Sequence, residues 1–196
     1  MWHSRGYLPH WEAGEFPQAI TFRLADSLPS VVLAAWSDEL ATMPEDRALL
    51  ERRRRIERAL DRGHGDPLLS EPEVGGLVES ALLHFDGDRY RLHGWVIMPN
   101  HVHVVATPLA THTLSSITHS WKSFTATAAN RALGRSGPFW APEYFDRAIR
   151  DRQHYVDAVH YVEMNPVVAG LCERPGLVDL GFGCRRNRRV SGERRV

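Results

Sequence analysis

His101-Val102-His103 sets two imidazoles on either side of one valine, inside a β-branched run that continues through Val104-Val105. Alternate residues of a strand point to one face, so the two rings would stand side by side. Two neutral imidazole nitrogens at that spacing can hold one divalent metal ion. A metal-activated phosphate beside them needs only a nucleophile to become a DNA-cutting site. The spacing equally suits two polar residues on the solvent face of a half-buried strand. With 11 histidines in 196 residues, a His-x-His arises by chance in roughly one such chain of two.

A candidate nucleophile lies later in the chain, where residues 151–164 read as a helix that Asn165-Pro166 stops. Val156, Val159 and Val162 form its core stripe. Asp157, Tyr161 and Asn165 are four apart and share another flank. From there Tyr161 can present its hydroxyl to a substrate, and Asn165, one turn on, can offer a carbonyl oxygen to a metal. The alternative is a tyrosine that packs with its hydroxyl in water, and Tyr7, Tyr90, Tyr144 and Tyr155 are rivals for the role.

The elements that must position these groups follow from periodicity. Residues 19–24 alternate as a first strand; helices follow over 30–40, capped by Asp26 or a nearby serine, and over 45–61, ending at the Gly63-His64-Gly65-Asp66-Pro67 turn cluster. A short helix over 73–85 precedes a hairpin, its strands 89–98 and 101–106 broken at Pro99-Asn100. Leu114, Ile117, Trp121, Phe124 and Ala128 mark a long helix over 114–133 with both aromatics in the core, and residues 139–149 form a last strand. This order predicts a ferredoxin-like, RRM-like α+β domain: an antiparallel sheet with helices packed on one face and a helical insertion after the first strand.

Composition predicts one domain over 1–180 with a flexible basic tail over 181–196. A hydrophobic fraction of 43% and a charged fraction of 24% are those of a globular protein. There is no membrane-length apolar run and no apolar signal core near Met1, so a cytoplasmic protein is expected. Formal net charge is zero, so no global cationic field advertises nucleic acid. The basic residues are nonetheless clustered, and all but Lys122 are arginines. Arg52 to Arg55 read as a solvated helix face, interleaved with acids. Lys122 on the long helix, and Arg147, Arg150 and Arg152 just before the last helix, are the candidates for DNA-backbone contact.

Several blocks together resemble the single-tyrosine transposases of the HUH superfamily, most closely the REP-associated tyrosine transposases. They are Gly6-Tyr7-Leu8-Pro9-His10, the stretch Thr21 to Pro29, Trp95-Val96-Ile97-Met98-Pro99-Asn100-His101-Val102-His103, Ser120 to Ala126, Glu143-Tyr144-Phe145-Asp146-Arg147, and Tyr161 to Leu171. The blocks run from residue 6 to 171 in family order. The resemblance implies that His101 and His103 are the histidine pair of the HUH motif, that Tyr161 is the nucleophile, and that Asn165 completes the shell of a Mg²⁺ or Mn²⁺ ion.

It further implies a metal-dependent single-strand endonuclease and strand transferase, acting on single-stranded or hairpin DNA through a 5′-phosphotyrosine. The enzyme would be monomer or homodimer and nucleoid-associated. Two features depart from the family pattern: Asp66-Pro67 follows the Gly63-His64-Gly65 turn, and the usual Trp-x-x-Ser-Ser segment near the C-terminus is missing. Two other classes compete. One is a domesticated DNA-hairpin-binding protein without transposition activity. The other is a metal-dependent hydrolase that uses water, with His93 or His154 as an extra ligand.

Overall fold

The computed structural model describes residues 15–109 and 111–175 in full, together with the backbone of short strands at 2–4, 9–11 and 185–186. In chain order the elements are β1 (Trp2–Ser4), β2 (Pro9–Trp11), β3 (Gln18–Leu24), α1 (Ser30–Leu40), α2 (Glu45–Leu60) and α3 (Pro72–His84). There follow β4 (Tyr90–Ile97), β5 (His101–Pro108), α4 (Leu114–Ala132), β6 (Trp140–Ala148), α5 (Arg152–Val168) and β7 (Arg185–Arg186). The main sheet is antiparallel at every pairing, in the order β6-β3-β5-β4-β7. Its four long strands give the ferredoxin-like order expected, with α1 and α2 inserted after β3. Most of the Gly6–His10 block and nearly all of the arginine-rich tail lie outside the described residues.

Strand alternation divides the sheet into two unlike faces. Ile20, Phe22 and Leu24 of β3 and Val102, Val104 and Ala106 of β5 point to one side, where α3 and α4 cover them with Val74, Val78, Leu82, Leu114, Ile117 and Trp121. Each large side chain so buried contributes roughly 1.5–3 kcal/mol. The polar atoms of the aromatics there are also paired: Trp121 Nε1 donates to the Tyr90 hydroxyl at 2.9 Å, which donates to the Leu82 carbonyl at 2.8 Å.

On the other side, Val96, Met98 and Val105 meet Val159 and Val162 of α5. A bulge between Leu92 and Gly94 shifts the phase of β4, so that Leu92 and Trp95 share the first face while Val96 joins the second. The expectation of helices on one face therefore holds for α3 and α4, whereas α5 and the α1–α2 insertion cover the opposite face. The insertion docks through Leu28, Ile56, Ala59 and Leu60 against Phe145, the cross-strand partner of Thr21.

Three local expectations change. Neither Asp26 nor a serine caps α1; Ser27 Oγ instead donates to the Leu24 carbonyl at 2.7 Å. Phe124 is 57% exposed, because only Trp121 of that pair turns into the core. The last helix continues through Pro166 to Val168. Proline removes one ladder donor there, yet the Asn165 carbonyl still receives the Ala169 amide at 2.9 Å, and Pro166 itself is buried.

Candidate metal and nucleophile site

The β3–β5 register sets Thr21 opposite His103 and Arg23 opposite His101, all on the face that α5 and α2 cover. Thr21 Oγ1 lies 2.7 Å from His103 Nδ1, and Asn100 Oδ1 lies 2.6 Å from His101 Nδ1. Asn100 Nδ2 donates to the His64 carbonyl at 2.7 Å, which fixes the amide orientation and leaves Oδ1 to accept. His101 therefore carries its proton on Nδ1 and a lone pair on Nε2. The two Nε2 atoms face each other at 2.9 Å.

Without a cation, that contact needs the His103 proton on Nε2 and the Thr21 hydroxyl donating to Nδ1. With a cation bound, the His103 proton moves to Nδ1, where Thr21 Oγ1 accepts it. Such outer partners orient the rings and set the tautomer. Burial holds both histidines below their ordinary pKa, His103 at about 3 with the Arg53 charge adding to the effect, and His101 lower than usual with His103 adding. Both are neutral at physiological pH, the form that binds metal.

A carboxylate completes the group. Asp61, the residue that closes α2, brings an oxygen to the two rings, with the three ligand atoms all within 4.8 Å of one another. The turn after it makes this possible. Gly63 and Gly65 adopt positive φ, and a Cβ on Gly65 would stand 2.8 Å from the Asp26 carbonyl oxygen. Only glycine lets this turn lie against the end of β3. Asn100 then straps the turn to His101. Burial and the Glu57 charge raise the Asp61 carboxyl above its usual range, a penalty that a bound cation would remove.

Tyr161 approaches from α5, whose first turn is capped by Asp151 accepting the His154 amide at 2.8 Å. Its ring meets the His103 ring edge-on, with centroids 5.3 Å apart. Burial, then the charges of Asp61 and Glu57, push its hydroxyl pKa up; a hydrogen bond from Asn165 and the Arg53 charge pull it down. Because α5 runs on past Pro166, Asn165 stays one turn from Tyr161 on the same flank. Asn165 is buried, and its Oδ1 has no hydrogen-bond partner. Two imidazole nitrogens and a carboxylate form a donor set that fits a divalent cation such as Mn²⁺ or Mg²⁺.

The remaining candidates separate. Arg147 and Arg150 line one open groove with Tyr161, Arg53, Arg54 and Phe16, and acids including Asp146 and Asp157 share its walls. Arg152 is exposed at the start of α5 and is not among the groove residues. Lys122 stands elsewhere: its ammonium donates to the carbonyls of Ala141 and Pro142 at 2.7 and 2.8 Å, tying α4 to β6. Among the described residues the metal-competent group excludes His93 and His154. His93 instead bonds Thr107 at 2.8 Å and abuts Tyr155. Sequence reasoning missed Asp61, Thr21 and Asn100, and read Arg53 and Arg54 as solvated face; the one local signal was the glycine-flanked turn two residues after Asp61.

No protein-family model matches the sequence, and no curated protein sequence does. Among solved structures, the chain is similar to that of a REP-associated tyrosine transposase bound to a REP hairpin, with a TM-score of 0.54 and 17% identity over 92% of this chain and 81% of that one. A provisionally assigned transposase of Deinococcus radiodurans also aligns, with a TM-score of 0.34 and 13% identity, over 84% of this chain and 98% of that one. The first likeness shows a shared fold.

Proposed function

We propose that this protein is a metal-dependent single-strand DNA endonuclease and strand transferase whose nucleophile is Tyr161. One observation carries the reading: the Tyr161 ring lies against His103 in a site where both histidine Nε2 atoms and Asp61 converge. A fold shared with a transposase bound to a hairpin makes DNA the natural substrate class.

His101, His103 and Asp61 would hold a Mg²⁺ or Mn²⁺ ion, with the orphaned Asn165 oxygen as the proposed further ligand. When bound, that ion supplies positive charge that draws electron density from the scissile phosphate and offsets the acids around the phenol. The chain's own groups do the rest. Asn165 donates to the Tyr161 hydroxyl and steadies the developing phenolate. Tyr161 Oη loses its proton and forms a bond to phosphorus as the bond from phosphorus to the 3′-oxygen breaks. The 3′-oxygen takes up a proton and leaves as a free hydroxyl, and a 5′-phosphotyrosine stays on the chain. Reverse attack by a 3′-hydroxyl rejoins strands with no external energy source. Arg147 and Arg150 in the groove, with Arg152 at the start of α5, are the proposed backbone contacts, and a nucleoid-associated protein is expected.

The test is to incubate the protein with labelled single strands carrying a hairpin, with and without Mg²⁺ or Mn²⁺, and to resolve the products on a denaturing gel. A metal-dependent covalent adduct, absent from Tyr161→Phe, is expected. Cleavage unchanged in Tyr161→Phe would overturn the nucleophile. If the wild type shifts hairpins on native gels but cuts nothing, the protein is a DNA-hairpin-binding module instead.

A further inference from the structure

Resting on the reading above, we infer that Arg53 of the α2 insertion is the chain's own cationic ligand for the scissile phosphate. Arg53, Glu57 and Asp61 are four apart and share one face of α2. Asp61, at the end of that face, meets the two histidines. Arg53, two turns back, lines the groove together with Tyr161. Its Nε donates to Glu57 Oε1 at 2.8 Å, so the guanidinium is braced while its terminal nitrogens stay available. The same charge is felt at both His103 and Tyr161. Asp61 and Glu57 present negative charge to Tyr161, where a phosphodiester must come to be attacked. An anion enters such a corner only against cations. A planar fork on the helix face that ends at Asp61, in the groove that holds the nucleophile, can meet two non-bridging phosphate oxygens at once.

The insertion is then part of the catalytic machinery, giving a metal ligand at one end of a helical face and a phosphate ligand at the other. The experiment uses the full chain with Mn²⁺ and a labelled hairpin-bearing strand, comparing wild type, Arg53→Gln, Arg53→Lys and Arg54→Gln. Single-turnover cleavage at saturating DNA is measured alongside the dissociation constant by fluorescence anisotropy. Arg53→Gln should lower the saturated rate about 100-fold, the scale of losing one transition-state donor, while changing affinity less than about threefold. Arg53→Lys should recover part of the rate, and Arg54→Gln should affect affinity more than rate. Thermal melting checks that the variants fold, because the Arg53–Glu57 i,i+4 pair is part-buried and its loss can also cost stability. A wild-type rate in Arg53→Gln, or a loss confined to affinity, overturns the role of Arg53 alone. A wild type that forms no adduct removes both this inference and the reading beneath it.

Discussion

The two faces of the central sheet are made by the same strands and do opposite work. On the α3–α4 face, β3 and β5 contribute Ile20, Phe22, Val102 and Val104, and the polar atom of Trp121 is retired into a hydrogen bond with Tyr90. On the α5–α2 face, the intervening residues are Thr21, His101 and His103, buried at 5%, 1% and 3% exposure. Those polar groups are paired to one another and to Asn100. The first face spends its residues on cohesion, while the second sets this polar group beside an apolar cluster of Val96, Met98, Val105, Val159 and Val162. Period-two alternation permits both in a single strand, so substitutions one residue apart should have unrelated consequences.

The largest expected effect lies on the cohesive face. Trp121→Ala should destabilise the fold by about 3–5 kcal/mol, through the cavity it leaves and the hydrogen bond to Tyr90 that it removes. Urea unfolding measures this, and a loss under 1 kcal/mol would erase the distinction between the faces.

Next comes acidity, which should act through the second face. Folded His93 stays neutral down to about pH 4, whereas an unfolded histidine takes its proton near 6.5. The unfolded state binds the extra proton between those values, so stability falls as the pH drops from about 6.5 to 4. His93 alone accounts for about 3 kcal/mol of that fall at 1.36 kcal/mol per pKa unit. His93→Gln, which retains a partner for Thr107, should flatten the dependence of the urea midpoint on pH across this window. An unchanged slope would place the acid sensitivity elsewhere.

A smaller and more selective effect is expected at Thr21. Thr21→Val removes the acceptor for His103 Nδ1 and should weaken Mn²⁺ binding about 10–100-fold in titration calorimetry. The melting temperature of the metal-free protein should move by only a few degrees. Unaltered affinity would mean that the Thr21 contact does not orient the ring.

The smallest effect is expected at Phe124, which faces solvent despite its place in a helical apolar stripe. Phe124→Ala should change stability by less than about 0.5 kcal/mol. A larger loss would show that α4 is covered on its outer side.

These contrasts also indicate what could be read from residue order. The histidine pair was legible because two residues apart on a strand means one face, and Tyr161 with Asn165 because four apart on a helix means one flank. Both are local rules. Phe124 shows their limit, since spacing defines a stripe to within a residue either side but not the rotation that buries it. Asp61 was beyond their reach altogether. It lies forty residues from His101, and its approach depends on a turn packing against Ser27 and on Asn100 bonding the His64 carbonyl. Such a contact exists only once the insertion has docked. Arg53 was misread for a related reason: it pairs with Glu57 one turn on, and only the docked helix shows which way that paired face looks.

The end of α2 has one more consequence. Its last carbonyls carry the partial negative charge of the helix dipole, and Asp61 adds a full one at the same pole. Neither the helix nor the carboxylate favours that placement, which amounts to local frustration held in place by docking. A divalent cation there would neutralise the pole and stabilise the folded chain by mass action. Loading of the site and seating of the insertion would then be thermodynamically linked: without metal the protein should release α1 and α2 more readily than the sheet, and protection of their amides from hydrogen exchange should rise with the metal concentration.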